Sequence, residues 1–190
     1  MTLEDARALD TADPLAFARE RFQLPDGILY LDGNSLGALP TATAEALARV
    51  VTAEWGSDLI TSWNTHGWID APARVAAGLA PILGAAPDEL LIADSTSVCL
   101  FKLLAAAVEA RPGRPVILTE RGNFPTDLYA AHGLAALRPE VLVRAVERGD
   151  LASALDEETA VLYLTHVDYV SGARHDMVAL NAAAHGAGAL

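Results

Sequence analysis

Three consecutive hydroxyl side chains, Ser95-Thr96-Ser97, come just before a segment with a strongly helical pattern. The first turn of a helix carries unpaired backbone N–H groups and the positive end of the helix dipole, so anions bind there readily. Hydroxyl groups in the same turn add further hydrogen-bond donors. These residues therefore suit a phosphate group, although Ser and Thr are also preferred as ordinary helix N-caps.

Polar residues also follow two further predicted strands. Residues 120–127, with the sequence Glu-Arg-Gly-Asn-Phe-Pro-Thr-Asp, come after the apolar run Val116–Thr119, and residues 165–168 come after Val161–Leu164. The hydroxyl run itself follows another predicted strand. Ligands bind beyond the carboxyl ends of parallel strands, so we expect the three polar clusters to converge at one edge of a sheet.

One aromatic side chain, Phe124, belongs to the second polar cluster and could stack on a flat ring. Its alternative role is to pack at the start of the helix that Pro125 opens, with Asp127 as an acid in the first turn. The five histidines are scattered and no His-Glu-x-x-His pair is present, so no metal site is predicted. From the residues alone, the expected ligand is an anion that carries an aromatic ring.

The composition is typical of a globular protein and disfavours several kinds of partner. Hydrophobic residues make up 52% of the 190 residues, and the net charge of −12 disfavours binding to nucleic acid or to an anionic membrane surface. Cys99 is the single cysteine, which excludes an internal disulfide. The acidic start does not resemble a signal peptide, and no apolar run reaches ~18 residues, so we predict a cytoplasmic protein without membrane contact.

Strand-like and helix-like runs alternate from residue 88 onward. The strand-like runs are Glu89–Ala93, Val116–Thr119, Val141–Val146 and Val161–Val167, and the helix-like runs are Val98–Ala110, Thr126–Leu134, Leu151–Leu155 and Met177–Gly186. This alternation predicts an α/β fold with a mostly parallel sheet and helices on both faces. We assign residues 1–55 to an N-terminal helical arm with the first long helix, and residues 56–190 to the α/β domain.

The N-terminal part contains a predicted short strand, Ile28–Leu31, a dense turn at residues 32–37 and a long helix from Pro40 to Trp55. A helix is also predicted after Asp13-Pro14. Residues 56–71 follow neither a helical nor a strand period and contain two tryptophans with Asn64 and His66. Such a loop suits a ligand pocket, or its aromatic side chains pin the loop to the core.

Four sequence blocks together resemble kynureninase. They are Asp32-Gly33-Asn34-Ser35-Leu36-Gly37, the run from Ser95 to Leu104, Asn123-Phe124-Pro125-Thr126-Asp127-Leu128-Tyr129, and Thr165-His166-Val167-Asp168-Tyr169 with Gly172 and His175-Asp176-Met177. The blocks follow one another in the family's order from about residue 28 to the end of the chain. The resemblance implies the aspartate-aminotransferase-like fold type I of pyridoxal-phosphate enzymes, a homodimer, and hydrolysis of L-kynurenine, or its 3-hydroxy form, to anthranilate or 3-hydroxyanthranilate and L-alanine in tryptophan catabolism.

The resemblance also implies roles for individual residues. Thr96 and Ser97 would bind the cofactor phosphate, and Phe124 would stack on the pyridine ring. Pro125, Thr126, Asp127 and Thr165 would line the same cofactor site, and Ser35, Trp63 and Asn64 would face the substrate. Cys99 departs from the family pattern, which usually has Asn at this position.

A pyridoxal-phosphate enzyme needs a lysine that forms a Schiff base and an acid beside the pyridine nitrogen. The single lysine, Lys102, lies inside the predicted helix, and the family's Schiff-base lysine lies elsewhere. We therefore expect the chain to correspond to the N-terminal half of a kynureninase, with no catalytic residue of its own and no activity alone. The alternatives are another fold-type I lyase, or a truncated paralogue that pairs with a full-length subunit.

Overall fold

The computed structural model describes all residues, Met1–Leu190. The chain forms two compact units, Met1–Leu91 (unit 1) and Ile92–Leu190 (unit 2). The division into residues 1–55 and 56–190 stays a prediction. None of the helices combines the length and the hydrophobicity that crossing a membrane requires.

Unit 1 consists of helices joined by turns. Its longer helices are α1 (Leu3–Ala12), α2 (Thr41–Arg49) and α3 (Ala71–Leu83). A two-residue strand, β1 (Phe22–Gln23), pairs antiparallel with β2 (Leu39–Pro40). Helix α2 continues as a wider π-helical segment, Val50–Trp55, and shorter helical turns span Ala16–Arg21, Gly56–Asp58, Leu59–Thr61, Ser62–Thr65, Trp68–Asp70 and Pro87–Glu89.

The first helix begins earlier than the sequence pattern indicates. Thr2 caps α1 by accepting a hydrogen bond from the Asp5 N–H at 3.2 Å, and the Asp5 carboxylate accepts one from the Thr2 N–H at 2.7 Å. This reciprocal pair satisfies two backbone donors that the helix itself leaves unpaired. The helix predicted after Asp13-Pro14 is only the 3-10 segment Ala16–Arg21.

Two predicted strands of the chain are wrong. Residues 28–31 form no strand, and Leu29 and Leu31 are about nine-tenths exposed. Residues 90–93 follow the 3-10 turn Pro87–Glu89 without pairing to any strand, and Leu91 is exposed. A strand requires a neighbour for its backbone N–H and C=O groups, and an apolar run does not specify one.

Unit 2 is an α/β unit built on a three-stranded parallel sheet with the order β4-β3-β5. The strands are β3 (Val116–Glu120), β4 (Leu142–Val146) and β5 (Thr159–Tyr163). The helices are α4 (Thr96–Glu109), α5 (Pro125–Leu137) and α6 (Met177–Gly186), with a 3-10 turn at Arg148–Asp150. The predicted parallel α/β alternation is confirmed for this unit. The helix predicted over Leu151–Leu155 is wrong, because residues 151–154 form turns and Leu155 belongs to no helix.

The central strand explains why the apolar pattern is continuous there. Residues 116–119 of β3 are at most 1% exposed, because β4 and β5 flank the strand and both of its faces are covered. Such doubly buried parallel strands lack the polar alternation of half-exposed ones. One face packs against α4 and α5 in a core of Leu104, Val108, Ile117, Ala131, Leu134, Val141, Ala160 and Tyr163.

The outer side of β5 also has a backbone partner. The N–H of Leu190 donates to the carbonyl of Ala160 at 2.9 Å, and the N–H of Leu162 donates to the carbonyl of Leu190 at 2.8 Å. Arg114 supports the same region, since its Nη1 donates to the carbonyls of Thr159 and Ala187. These hydrogen bonds support β5 on its outer side. The predicted polar clusters follow β3 and β5 at the carboxyl edge of this sheet.

Candidate functional site

The hydroxyl run forms the start of α4, a helix of 14 residues. Ser95 is its N-cap, with Oγ accepting from the Val98 N–H at 3.5 Å. The side chains of Thr96 and Ser97 are exposed and form no hydrogen bond within the chain. Ser95 therefore acts as the ordinary cap, while the hydroxyls of Thr96 and Ser97 and the N–H groups of the first turn stay available to an anion.

The single lysine is paired with a carboxylate beside the same helix start. Lys102 Nζ donates to Asp94 Oδ2. The hydrogen bond and the charge of Asp94 raise the pKa of Lys102, and the same hydrogen bond lowers the pKa of Asp94. Only the neutral form of an amine attacks an aldehyde. Lys102 is held as an ammonium ion, which makes it a poor partner for a cofactor aldehyde.

The loop between β3 and α5 is built around the buried amide of Asn123, which is 7% exposed. Its Nδ2 donates to Thr119 Oγ1 at 3.1 Å, and its Oδ1 accepts from the Phe124 N–H at 2.7 Å. Pro125, which has no N–H, follows at the first position of α5. Asn123 thus joins the end of the central strand to the start of the helix.

Thr165 brings the segment after β5 to the start of α5, beside Asn123. Its Oγ1 lies 2.7 Å from Oδ1 of Asn123 and 3.0 Å from Oδ2 of Asp127. A hydroxyl carries one hydrogen, so Thr165 donates to one of these oxygens at a time. Two of the three predicted clusters therefore meet: Thr165 contacts both Asn123 and Asp127, the acid in the first turn of α5. The third cluster, Ser95-Thr96-Ser97, follows no strand and shares no hydrogen bond with the other two.

Phe124 keeps 41% of its surface exposed at this edge. Its ring meets the ring of Tyr169 in an edge arrangement, with centroids 5.0 Å apart and planes at 76°. Edge contacts of this kind are favourable and hold the Phe124 ring in place. Thr126, the next side chain along α5, is exposed and has no hydrogen-bond partner in the chain.

A buried tyrosine lies beneath this network. The hydroxyl of Tyr163, on β5, is buried without a hydrogen-bond partner. Burial, and next the charge of Asp127, raise the pKa of Tyr163 well above its ordinary value. Tyr163 therefore stays neutral and contributes no charge to the site.

A second polar group joins β3 to the segment before α6. His175 is buried, and its Nε2 lies 2.8 Å from Oε2 of Glu120, whose other oxygen is 3.7 Å from Nη1 of Arg148. Asp176 caps α6 by accepting from the Ala179 N–H at 3.0 Å, and the helix has the predicted bounds Met177–Gly186. The arrangement ties α6 to the carboxyl end of the central strand.

The residues predicted to face the substrate lie in unit 1. Ser35, Trp63 and Asn64 are exposed, and Ser35 Oγ donates to Asp32 Oδ1 at 2.7 Å. The run Gly33–Gly37 has the Gly-x-Ser-x-Gly spacing of a hydrolase nucleophile turn, but no strand precedes it and no histidine is hydrogen-bonded to Ser35. Approach of these residues to a substrate stays a prediction.

The prediction of an irregular loop at residues 56–71 is wrong, because most of these residues form short helical turns. The turns are organised by Glu54. Its Oε2 accepts from Trp68 Nε1 at 2.7 Å, and its backbone carbonyl accepts from the buried Ser62 Oγ at 2.7 Å. The hydrogen bond from Trp68 is the main cause that lowers the pKa of Glu54. Trp68 therefore anchors these turns, whereas Trp63 is 49% exposed and free to make contacts.

Sequence patterns place Asn123 in the second polar cluster without indicating its burial, and they do not single out Tyr163. Asn123 stands next to Gly122 in a polar stretch that reads as an exposed turn, and Tyr163 reads as one more apolar strand residue. The available signal for Asn123 is its position between a strand end and a helix opened by Pro125, where an amide commonly bonds to nearby backbone.

Comparisons with known proteins agree with the quoted sequence blocks. No family model matches the chain. Curated kynureninases do match it along its whole length: that of Burkholderia mallei (strain SAVP1) with 53% identity, that of Burkholderia pseudomallei (strain K96243) with 52%, and that of Pseudomonas fluorescens with 48%. The chain spans about half the length of these relatives, 47% in each case. The resemblance to kynureninase is confirmed over all parts of the chain.

Proposed function

We propose that this chain supplies the phosphate-binding and ring-binding side of the pyridoxal-phosphate site of a kynureninase, which hydrolyses L-kynurenine or its 3-hydroxy form. The proposal includes the fold-type I architecture, in which unit 2 belongs to the large cofactor-binding domain. Identity of about half of all positions with curated kynureninases supports it. The observation that carries it is the cluster of Asn123, Asp127 and Thr165 beside the exposed ring of Phe124.

The phosphate end of the proposed site is the start of α4. Thr96 and Ser97 offer two unpaired hydroxyls and first-turn N–H groups at the positive end of the helix dipole. With a protein net charge of −12, an anion needs such local donors, because the overall field repels it. The donor set therefore fits a phosphate ester.

The ring end of the proposed site is the start of α5. The half-exposed ring of Phe124 offers a flat surface for stacking, and the carboxylate of Asp127 and the hydroxyl of Thr165 offer polar contacts beside it. Thr126 adds a free hydroxyl on the same turn. An aromatic ring with polar substituents fits this combination, which an apolar ligand would leave unsatisfied.

When bound, pyridoxal phosphate acts as an electron sink for bonds next to the amino-acid α-carbon. The residues described above would hold it: Thr96 and Ser97 would bind the phosphate, and Phe124, Asp127 and Thr165 would bind the ring. Lys102 takes no part, since its pairing with Asp94 keeps it protonated. Ser35, Trp63 and Asn64 are proposed to contact the kynurenine substrate, in a cytoplasmic homodimer.

A ligand titration tests the cofactor assignment without requiring turnover. The probe is pyridoxine 5′-phosphate, which has the ring and phosphate of the cofactor but no aldehyde, so it cannot react with stray amines. We expect saturable binding by the wild-type chain, followed by ligand fluorescence. A Thr96→Val, Ser97→Ala double variant is expected to bind at least about tenfold more weakly, since two hydrogen bonds to a charged group are lost.

The matched control is Ser153→Ala, which removes an exposed hydroxyl that donates only to the Asp150 carbonyl. This variant is expected to bind like the wild type. Equal binding by the double variant and the wild type would refute the phosphate site. A wild-type chain that does not bind the probe would refute the cofactor assignment itself.

A further inference from the structure

We propose that Asn123 is a positioning residue of this site: its buried amide sets the spacing of Phe124, Asp127 and Thr165, and so determines affinity for the ring but not for the phosphate. The inference rests on the proposed function for the identity of the ligand. It assigns the Asn123 amide a role that the sequence alone did not indicate.

The first support is that Asn123 connects three separate elements through one side chain. It donates to Thr119 at the end of β3, accepts from the Phe124 N–H at the start of α5, and accepts from Thr165 after β5. With 7% exposure, water competes little for these bonds. The relative position of the three elements therefore depends on this amide.

The second support is the hydrogen-bond capacity of the amide oxygen. Oδ1 has two acceptor positions, and the Phe124 N–H and the Thr165 hydroxyl use both, each at 2.7 Å. Of the two acceptors near the Thr165 hydroxyl, Asn123 is the closer, at 2.7 Å against 3.0 Å for Asp127. When Asn123 takes this hydrogen, the Asp127 carboxylate keeps its acceptor capacity for a donor group on a ligand.

The third support is that Asn123 forms no hydrogen bond with the phosphate end of the proposed site. None of its hydrogen bonds reaches Thr96, Ser97 or any other residue of α4. Loss of the amide should therefore disturb the ring end and leave the phosphate end intact. A residue that only stabilised the fold would affect both ends together, so two probes separate the two roles.

The experiment compares pyridoxine 5′-phosphate with inorganic phosphate as probes on the full 190-residue chain. For Asn123→Ala, the dissociation constant of pyridoxine 5′-phosphate is expected to rise about tenfold, because Phe124, Asp127 and Thr165 lose the amide that holds them in position for the ring. The dissociation constant of inorganic phosphate is expected to stay within about twofold. An equal change for both probes, or no change for either, overturns the inference.

Thr119→Val is the matched control. It removes the acceptor for Nδ2 but retains both bonds of Oδ1, so it lowers stability while the ratio of the two affinities is expected to stay constant. If Thr119→Val shifts that ratio as far as Asn123→Ala does, the amide acts through general stability and the inference is wrong.

Asn123→Asp covers the case in which the alanine variant does not fold. It keeps the two acceptor bonds to Phe124 and Thr165, and its added charge weakens both anionic probes alike. The ratio of affinities is therefore expected to stay within about threefold of the wild type, and a tenfold fall contradicts the inference. If the wild type binds pyridoxine 5′-phosphate no more tightly than inorganic phosphate, the proposed function fails instead.

Discussion

Thr165 Oγ1 lies 3.0 Å from Asp127 Oδ2, although 38 residues separate them in sequence. The contact links the segment after β5 to the first turn of α5, and it exists because β3 and β5 are neighbours in a parallel sheet. The polar residues that follow neighbouring parallel strands therefore meet, as the rule for ligand sites in such sheets requires.

This contact predicts how the Thr165 hydroxyl contributes to stability. Thr165→Val removes the single hydroxyl hydrogen that Asn123 and Asp127 share, so the free energy of unfolding should fall by about 1–2 kcal/mol. Thr165→Ser keeps the hydroxyl and should lose less. Urea denaturation measures both. A serine variant as unstable as the valine variant would mean that the methyl group, not the hydroxyl, matters.

The ion pair between Lys102 and Asp94 predicts low reactivity of the lysine toward aldehydes. With pyridoxal 5′-phosphate and borohydride at pH 7.5, Lys102 should be modified slowly, because its raised pKa leaves little neutral amine. Asp94→Asn removes the cause of the shift and should accelerate modification. Asp88→Asn, the removal of an exposed carboxylate that contacts no lysine, serves as control. Peptide mass spectrometry gives the result, and fast wild-type labelling of Lys102 would contradict the assignment.

Asp156 predicts part of the acid sensitivity of unit 2. Hydrogen bonds from Arg144 first, and then from Thr159, lower its pKa below the ordinary value of 3.8. Because the folded-state pKa is the lower one, the stabilisation is fully present above pH 3.8 and disappears as the pH falls through the folded-state pKa. Asp156→Asn should therefore be less stable than wild type at pH 6, and the difference should shrink toward pH 3.

Urea denaturation at several pH values between 3 and 6 checks this prediction. The neighbouring Glu157→Gln is the control, since Glu157 is exposed and makes no hydrogen bond through its side chain. If the free energies of unfolding of the wild type and Asp156→Asn differ by the same amount at every pH, the Arg144 contact does not depend on the carboxylate charge.

The buried contact of His175 with Glu120 predicts a loss of stability when the contact at the carboxyl end of β3 is removed. His175→Ala leaves one oxygen of Glu120 without its partner, so the free energy of unfolding should fall by about 1–3 kcal/mol. His185→Ala, at an exposed position of α6, should change it by at most about 0.5 kcal/mol. A double-mutant cycle with Glu120→Gln isolates the pair, and a coupling energy near zero would contradict the predicted role.

Local sequence patterns predict a strand correctly where the strand is buried between two neighbouring strands. The run Val116–Thr119 is a strand because continuous apolar residues between turns suit a doubly covered parallel sheet. The predicted strand Val161–Val167 is confirmed only as far as Tyr163, since β5 spans Thr159–Tyr163. The start of α4 was visible from its hydroxyl run. Ile28–Leu31 is also apolar, yet it has no strand to pair with, and a distant partner leaves no trace in the local pattern.

The site was predictable only in part for a similar reason. The residue types at 96–97, 124–127 and 165 indicate a ligand, but the burial of Asn123 depends on the packing of β3 against its neighbours. A polar side chain in a glycine-containing loop reads as exposed until the fold is known. Leu151 shows the converse, since it is buried yet lies in a turn.

The most direct test of the central claim is to map pyridoxine 5′-phosphate on the chain by the backbone amide chemical shifts that it changes. We predict the largest changes at Thr96 and Ser97 and, around the start of α5, at Phe124, Thr126 and Asp127, all saturating with one dissociation constant. Changes confined to the opposite end of the sheet, near Arg111 and Arg114, or no saturable change at all, would contradict a cofactor site at the carboxyl edge of the sheet.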